Sequence, residues 1–223
     1  MNFEPPPPPP DDLSSPVEAL LAKGVLLHRV WNHLSGRAGN VFNPGYGDAD
    51  PTRFAPLHRP EGAPEGSRIG TLYAGETFAV AAYETLFRDL PPRPALRDVA
   101  AWRIDQAAHC TLTVGRDLRL ASLHHRHLGR WGLSRSMLIE CLGRRAYAGT
   151  VLWAEAIHDR FPHIDGLVWT SRQDDSADAY LFFGDRVQAD HLVPGPTRPL
   201  GTLPGRTDIE LLANQDEITI TRS

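Results

Sequence analysis

The apolar residues of this chain come in short runs, and that shortness sets what it can fold into. Residues 25–31 (VLLHRVW), 68–74 (RIGTLYA), 99–104, 110–114, 118–120, 166–170 (GLVWT) and 179–183 (AYLFF) each have the length and content of a strand. A terminal strand fits 217–221. Helical signals are fewer. Residues 77–88 (TFAVAAYETLFR) carry the best one, with Thr77 to cap and Phe78, Ala81, Ala82 and Leu86 as an inner face. Two more helices fit 134–143 and 148–160. Many short strands around few helices predict one mixed α/β domain, and 223 residues suffice for a sizeable core.

The ends of that domain read differently. Residues 4–12 (EPPPPPPDD) cannot form helix or central strand, because proline fixes φ and lacks an N–H. Residues 1–14 are therefore expected as a disordered, proline-rich lead-in, extended and exposed, with the domain at 15–223. After it, Ser15-Pro16-Val17-Glu18 has the form of a capping box, predicting a helix through Leu21 that stops at Gly24. Residues 32–67 form a long irregular stretch dense in Gly, Pro, Asn and Asp, and loops of that length tend to be functional.

Several chemistries are excluded by composition and motif. Lys+Arg 23 against Asp+Glu 27 gives a net charge of −4, which argues against a nucleic-acid binder. No apolar run approaches the ~20 residues of a membrane span, and the N-terminus has neither the basic start nor the apolar stretch of a secretory signal. Cys110 and Cys141 cannot make a disulfide framework, so a reducing cytoplasm is the expected compartment. There is no phosphate-binding GxxxxGK[ST], no GxGxxG after a strand and no GxSxG. The cluster His124-His125-Arg126-His127 encloses an arginine and lacks partner cysteines, so it reads as a solvated turn and not a metal site. Cys141 reads as buried packing.

The basic residues are lopsided: Lys23 is the only lysine, leaving 22 arginines. A GC-rich codon bias accounts for this blandly; the chemical alternative is that some are forks for phosphate or carboxylate. Arg29 stands inside an otherwise apolar strand, where an unpaired charge is expensive. It either pairs with a carboxylate or faces a cleft that holds an anion. Glu84, near the inner face of the 77–88 helix, is the available counterpart, and composition alone favours a structural Arg29–Glu84 pair.

A further set of short pieces changes that weighting. Leu27-His28-Arg29, Phe42-Asn43-Pro44, Arg53-Phe54, Leu72-Tyr73-Ala74 and Tyr83-Glu84 are followed by Gly166 to Arg172 (GLVWTSR) and Leu181-Phe182-Phe183. In order and spacing, over roughly 25–187, they resemble the RES-domain family, many of whose members are bacterial NAD+-consuming toxins paired with antitoxins. The resemblance implies a fold similar to the diphtheria-toxin and ADP-ribosyltransferase group, two small sheets flanked by helices with a cleft between them. It assigns catalysis to Arg29, Glu84 and Ser171, and binding of NAD+ or phosphate to Arg29, Arg53 and Tyr73. Some members carry a second serine on the helix that falls near Ala148 to Thr150 here. The stretch between Arg53 and Tyr73 is longer than in compact members.

These residue types suit cleavage of the nicotinamide–ribose bond. A carboxylate at Glu84 stabilises an oxocarbenium-like sugar, and two arginines can grip a pyrophosphate or an incoming phosphate. Tyr73 can stack on nicotinamide or shape its pocket, and Ser171 can hydrogen-bond ribose or phosphate. The implied enzyme is an NAD+ phosphorylase or glycohydrolase-type transferase. NAD+ is its substrate, inorganic phosphate its co-substrate, and no metal or recycled cofactor is required. A cognate antitoxin and a second copy of the chain are the implied protein partners. A mono-ADP-ribosyltransferase acting on a protein, and a non-catalytic module that recruits a partner through the proline lead-in, stay open as alternatives.

Overall fold

The short runs pair into one large sheet. In the computed structural model, which describes residues 4–45, 51–58, 67–91 and 95–222, the chain begins with β1 (Glu18–Leu21), β2 (Leu26–Asn32), β3 (Leu57–His58), β4 (Arg68–Ile69) and β5 (Thr71–Gly75). Helix α1 (Phe78–Tyr83) leads to β6 (Asp98–Ala100), α2 (Ala101–Asp105), β7 (Ala107–Val114) and β8 (Leu118–Ser122). Next come α3 (His125–Leu128), α4 (Arg135–Leu138), α5 (Arg144–Arg160), β9 (Gly166–Thr170) and β10 (Asp178–Phe183). The chain closes with β11 (Leu192–Pro194), β12 (Arg198–Pro199), α6 (Gly205–Gln215) and β13 (Thr219–Thr221). Among the described residues no helix is long and apolar enough to cross a membrane.

Nine of these strands share a sheet in the order β1-β8-β9-β10-β5-β2-β7-β11, with β12 also on β7. β8 and β9 run parallel while β9–β10, β10–β5 and β2–β7 run antiparallel, so the sheet is mixed. Alternation sends Leu167, Trp169, Ala179 and Leu181 to the face that packs on Trp153, Ala154 and Ile157 of α5. Leu27, Leu72, Cys110, Leu112, Val168 and Phe182 fill the opposite side. A third apolar cluster joins α1, α2 and α6 through Val80's neighbours Ala81 and Ala82, with Ile104, Ile209 and Leu212.

One junction of the sheet makes room for a site. β2 pairs with β7 along its whole length, from Leu26↔Thr113 to Asn32↔Ala107, but touches β5 only at His28↔Gly75. Past that pair the two strands part. The start of β5 is taken by the 43–45 loop, whose Asn43 exchanges two 2.8 Å backbone hydrogen bonds with Thr71. Helix α1 closes the narrow end. A side chain at Gly75 would place its Cβ 2.6 Å from the Ala81 nitrogen, so only glycine lets α1 lie this close to the split.

The expected mixed α/β domain is thus present, with its cleft formed where one sheet splits. Beside it stand the two-strand pairs β3–β4 and β6–β13. Several local expectations are corrected. The helix predicted from Ser15 is strand β1, paired with β8 from Glu18↔Ala121 to Leu21↔Leu118; hydrogen bonding to a distant edge outweighs a local capping signal. Residues 99–104 are not one strand: β6 ends at Ala100, and α2 turns Ile104 inward while Trp102 is exposed. The 77–88 helix stops at Tyr83, because the Ala82 carbonyl is shared by the Thr85, Leu86 and Phe87 N–H groups and the regular ladder ends there. The 134–143 helix is only α4, capped by the Ser134 hydroxyl. Helix α6 lies in a stretch with no clear helical signal of its own. The proline lead-in is extended, but it lies on the domain and buries Pro6. Within the long loop, residues 46–50 and 59–66 fall outside the described residues.

Candidate active site

Arg29 occupies the middle of β2, just where β5 turns away, and is 7% exposed. Its Nη2 donates to the Val41 carbonyl at 3.0 Å, while its buried Nη1 has no hydrogen-bond partner among the described residues. Burial pulls this guanidinium down to about 10; Cys110 works against the fall and Arg37 adds to it. A buried guanidinium nitrogen without a partner is costly, and Arg29 also lines the cleft.

Glu84 caps the C-terminus of α1. Its partner is Arg53, not Arg29: the Arg53 Nη1–Glu84 Oε2 distance is 3.0 Å, and both side chains are 5% exposed. The Arg29–Glu84 pair favoured by composition does not form. Burial disfavours the Arg53 charge, but Glu84 together with Tyr147, Cys141 and Tyr73 outweighs it, and the guanidinium pKa is raised. The Ser171 hydroxyl donates to the other carboxylate oxygen, Oε1, at 3.0 Å. Ser171 is fully buried at the end of β9, so it reaches the cleft only through Glu84. Thr150, at the position of the second serine candidate, places its hydroxyl on the Arg53 carbonyl and 3.0 Å from that of Tyr147, and does not bond Glu84. Ser171 and Thr150 therefore brace opposite members of the ion pair.

Tyr73 lines the cleft, but its hydroxyl is committed. It accepts from the Phe54 backbone N–H at 3.0 Å and sits 3.1 Å from the Thr52 Oγ, so it fastens the loop that carries Arg53. Tyr73→Phe is expected to leave the Phe54 N–H unpaired, costing about 1–3 kcal/mol of stability. Thermal melts of the two proteins check this; an unchanged melting temperature would mean the loop does not depend on that bond.

Of the remaining walls, the sequence pieces mark only Asn43. A cavity of about 670 Å³ is lined by Arg29, Arg53, Tyr73 and Glu84 together with Arg37, Asn43, Thr52, Arg88, Trp102, Arg103 and Tyr147. Among the described residues, five arginines face it against one glutamate, a local positive excess in a chain whose net charge is −4. Such a cleft concentrates an anionic ligand. Arg37 is steadied by a 3.1 Å bond from Nη1 to the Asn43 side-chain oxygen, and Arg88 by its Nε bond to Asp89. Arg172 is not a wall; its Nη2 donates to the Arg88 and Leu90 carbonyls and ties the serine loop to the segment after α1. The surplus of arginine was the only sequence signal for Arg37, Arg88 and Arg103, and it could not say which of 22 converge. The histidine cluster stands apart: His124 and His127 both bond the Ser122 hydroxyl, at 2.6 and 2.7 Å, and His124 reaches Asp178 at 2.9 Å. It is a hydrogen-bonded knot and not a loose turn.

Comparison with known proteins adds three findings. The family model described as the RES domain matches residues 27–202. The fold is similar to that of a chain in the crystal structure of the M. tuberculosis MbcT–MbcA toxin–antitoxin complex, with a TM-score of 0.52, 13% identity, and coverage of 87% of this chain and 92% of that one. No curated protein matches.

Proposed function

The chain belongs to the RES-domain family, and on that basis we propose that its split-sheet cleft binds NAD+ and cleaves the nicotinamide–ribose bond. The observation that carries the proposal is the presence, in one arginine-rich cavity, of a buried, half-satisfied Arg29 and of a Glu84 carboxylate fixed on both oxygens by Arg53 and Ser171. A volume of about 670 Å³ lies in the range of small-molecule sites. NAD+ brings a pyrophosphate for the arginines and a ribose that becomes cationic as the bond breaks.

The residues divide the work. Arg53 and Ser171 occupy one site on each Glu84 oxygen. A carboxylate offers about four acceptor positions, so roughly two remain for ribose hydroxyls. The C–N bond breaks with its electron pair passing to the nicotinamide nitrogen, which leaves neutral. Positive charge grows on the ribose, and Glu84, held rigid, stabilises it. The free Nη1 of Arg29, with Arg37 and Arg88, grips the pyrophosphate or an incoming phosphate. A phosphate oxygen then attacks the anomeric carbon, giving ADP-ribose-1″-phosphate; water would give ADP-ribose. NAD+ consumption of this kind makes the protein a toxin, and the likeness to a chain of a toxin–antitoxin complex supports a cognate antitoxin as its partner.

Purified protein incubated with NAD+, with and without inorganic phosphate, is expected to release nicotinamide in both, and ADP-ribose-1″-phosphate only with phosphate. Mass spectrometry reads all products. ADP-ribose alone would assign water as acceptor, an adduct on added protein would assign a transferase, and intact NAD+ would remove the enzymatic reading.

A further inference from the structure

The lead-in is docked, and the manner of docking identifies a second binding site. Prolines 5–10 supply no N–H groups, so an extended polyproline strand can be recognised only through its carbonyls and its pyrrolidine faces. Both are met by α5 and the tryptophans beside it. The Trp153 Nε1–H donates to the Pro7 carbonyl at 2.7 Å, and the Arg160 guanidinium donates to the Pro10 carbonyl. The Trp131 Nε1–H donates to the Ser14 carbonyl at 3.0 Å, and its ring packs on Trp153 with centroids 5.5 Å apart.

The spacing is that of a polyproline helix. Pro7 and Pro10 are one turn apart, about 9 Å at roughly 3 residues per turn and ~3.1 Å rise. Trp153 and Arg160 are two α-helical turns apart, about 10.5 Å at ~1.5 Å per residue. Pro6 is buried and Pro9 partly buried while Pro5, Pro7, Pro8 and Pro10 are exposed, again a period of three. Gly149, one helical turn before Trp153, makes the cradle: a Cβ there would lie 2.7 Å from Pro6 Cδ and 3.0 Å from Pro5 Cβ. Leu13 then enters the main core at 7% exposure.

We infer that Gly149, Trp153, Arg160 and Trp131 form a receptor for a left-handed polyproline strand, and that the chain's own residues 5–10 occupy it as an exchangeable latch. Docking in an aromatic-lined groove is a general way of recognising proline-rich segments; here the indole N–H groups take the carbonyls and Gly149 seats the Pro5 and Pro6 rings. The latch braces the turn of α5 that presents Thr150 to the Arg53 carbonyl, but the inference does not depend on what the cavity does.

The test uses the full chain with Pro5 to Pro10 exchanged for a Gly-Ser repeat of equal length, and the synthetic peptide EPPPPPPDD as probe. Peptide binding followed by tryptophan emission and calorimetry is expected to be saturable in the exchanged chain. Binding to the native chain should be at least about tenfold weaker, because a tethered strand competes at millimolar effective concentration. Gly149→Ala placed in the exchanged chain should abolish binding, since the methyl fills the Pro6 cradle while favouring the helix. A folded exchanged chain that ignores the peptide, or binds it equally with Gly149→Ala, overturns the inference. Should the exchanged chain not fold, Gly149→Ala in the native chain decides: a shift of tryptophan emission and new protease cleavage in residues 4–12 support the latch, and emission and cleavage identical to the native chain refute it.

Discussion

Glu84→Gln is expected to lower NAD+ turnover by about 10²–10³-fold, the usual cost of losing one well-placed electrostatic group. Gln has nearly the same shape and keeps an oxygen for Arg53, so substrate binding should change little and kcat should carry the loss. The variant also leaves the Arg53 guanidinium, 5% exposed, without its counter-charge. Removing one partner of a buried pair costs up to about 3–5 kcal/mol, so the melt should fall, and the assay belongs at a temperature where circular dichroism reports a folded chain. Folded Glu84→Gln with native turnover would strip Glu84 of the catalytic role. Ser171→Ala should act in the same direction but more weakly, since it removes a single bond to Oε1.

Arg29→Met is expected to move stability and activity in opposite directions. Met matches much of the arginine's volume in the apolar surroundings of β2 and removes a cation that burial has pulled down to about 10. Replacing a buried charge by a well-packed apolar group is often neutral or stabilising by about 1–4 kcal/mol, here offset in part by the orphaned Val41 carbonyl. For a chain of this size each kcal/mol shifts the melt by about 2–4 °C. Activity should fall through weaker binding, with kcat/KM for NAD+ down about 10–150-fold, the worth of a charge-assisted hydrogen bond. Arg29→Lys should recover little of that, because an ammonium keeps the charge but cannot hold Val41 and an anion at once with a planar fork. A lower melting temperature with unchanged kcat/KM would make Arg29 a core residue.

Part of this molecule is legible along the chain. Residues 166–170 and 179–183 are strands because their runs of apolar and aromatic residues suit nothing else at that length, and β9 and β10 occupy those positions. An arginine between Leu27 and Trp31 announces either a pair or an anion, and the short family pieces say which residues to watch. Those pieces do meet: Arg29, Arg53, Tyr73 and Glu84 line one cavity, with Ser171 behind it.

What only the tertiary structure decided is who pairs with whom. Arg53 lies in a loop and Glu84 at a helix end, 31 positions on; nothing local distinguishes Arg53 from Arg29 as the partner, because the choice depends on where β2 and β5 separate. That separation follows from one close contact at Gly75 and from the Asn43 bridge, both set by long-range packing. Residues 18–21 show the same limit, since their capping signal is local and worth about 1 kcal/mol, while pairing with β8 buries Leu21 and satisfies a row of backbone groups. The proline tract shows it again: its composition dictates an extended strand, and only two tryptophans and an arginine far along the chain determine where that strand lies.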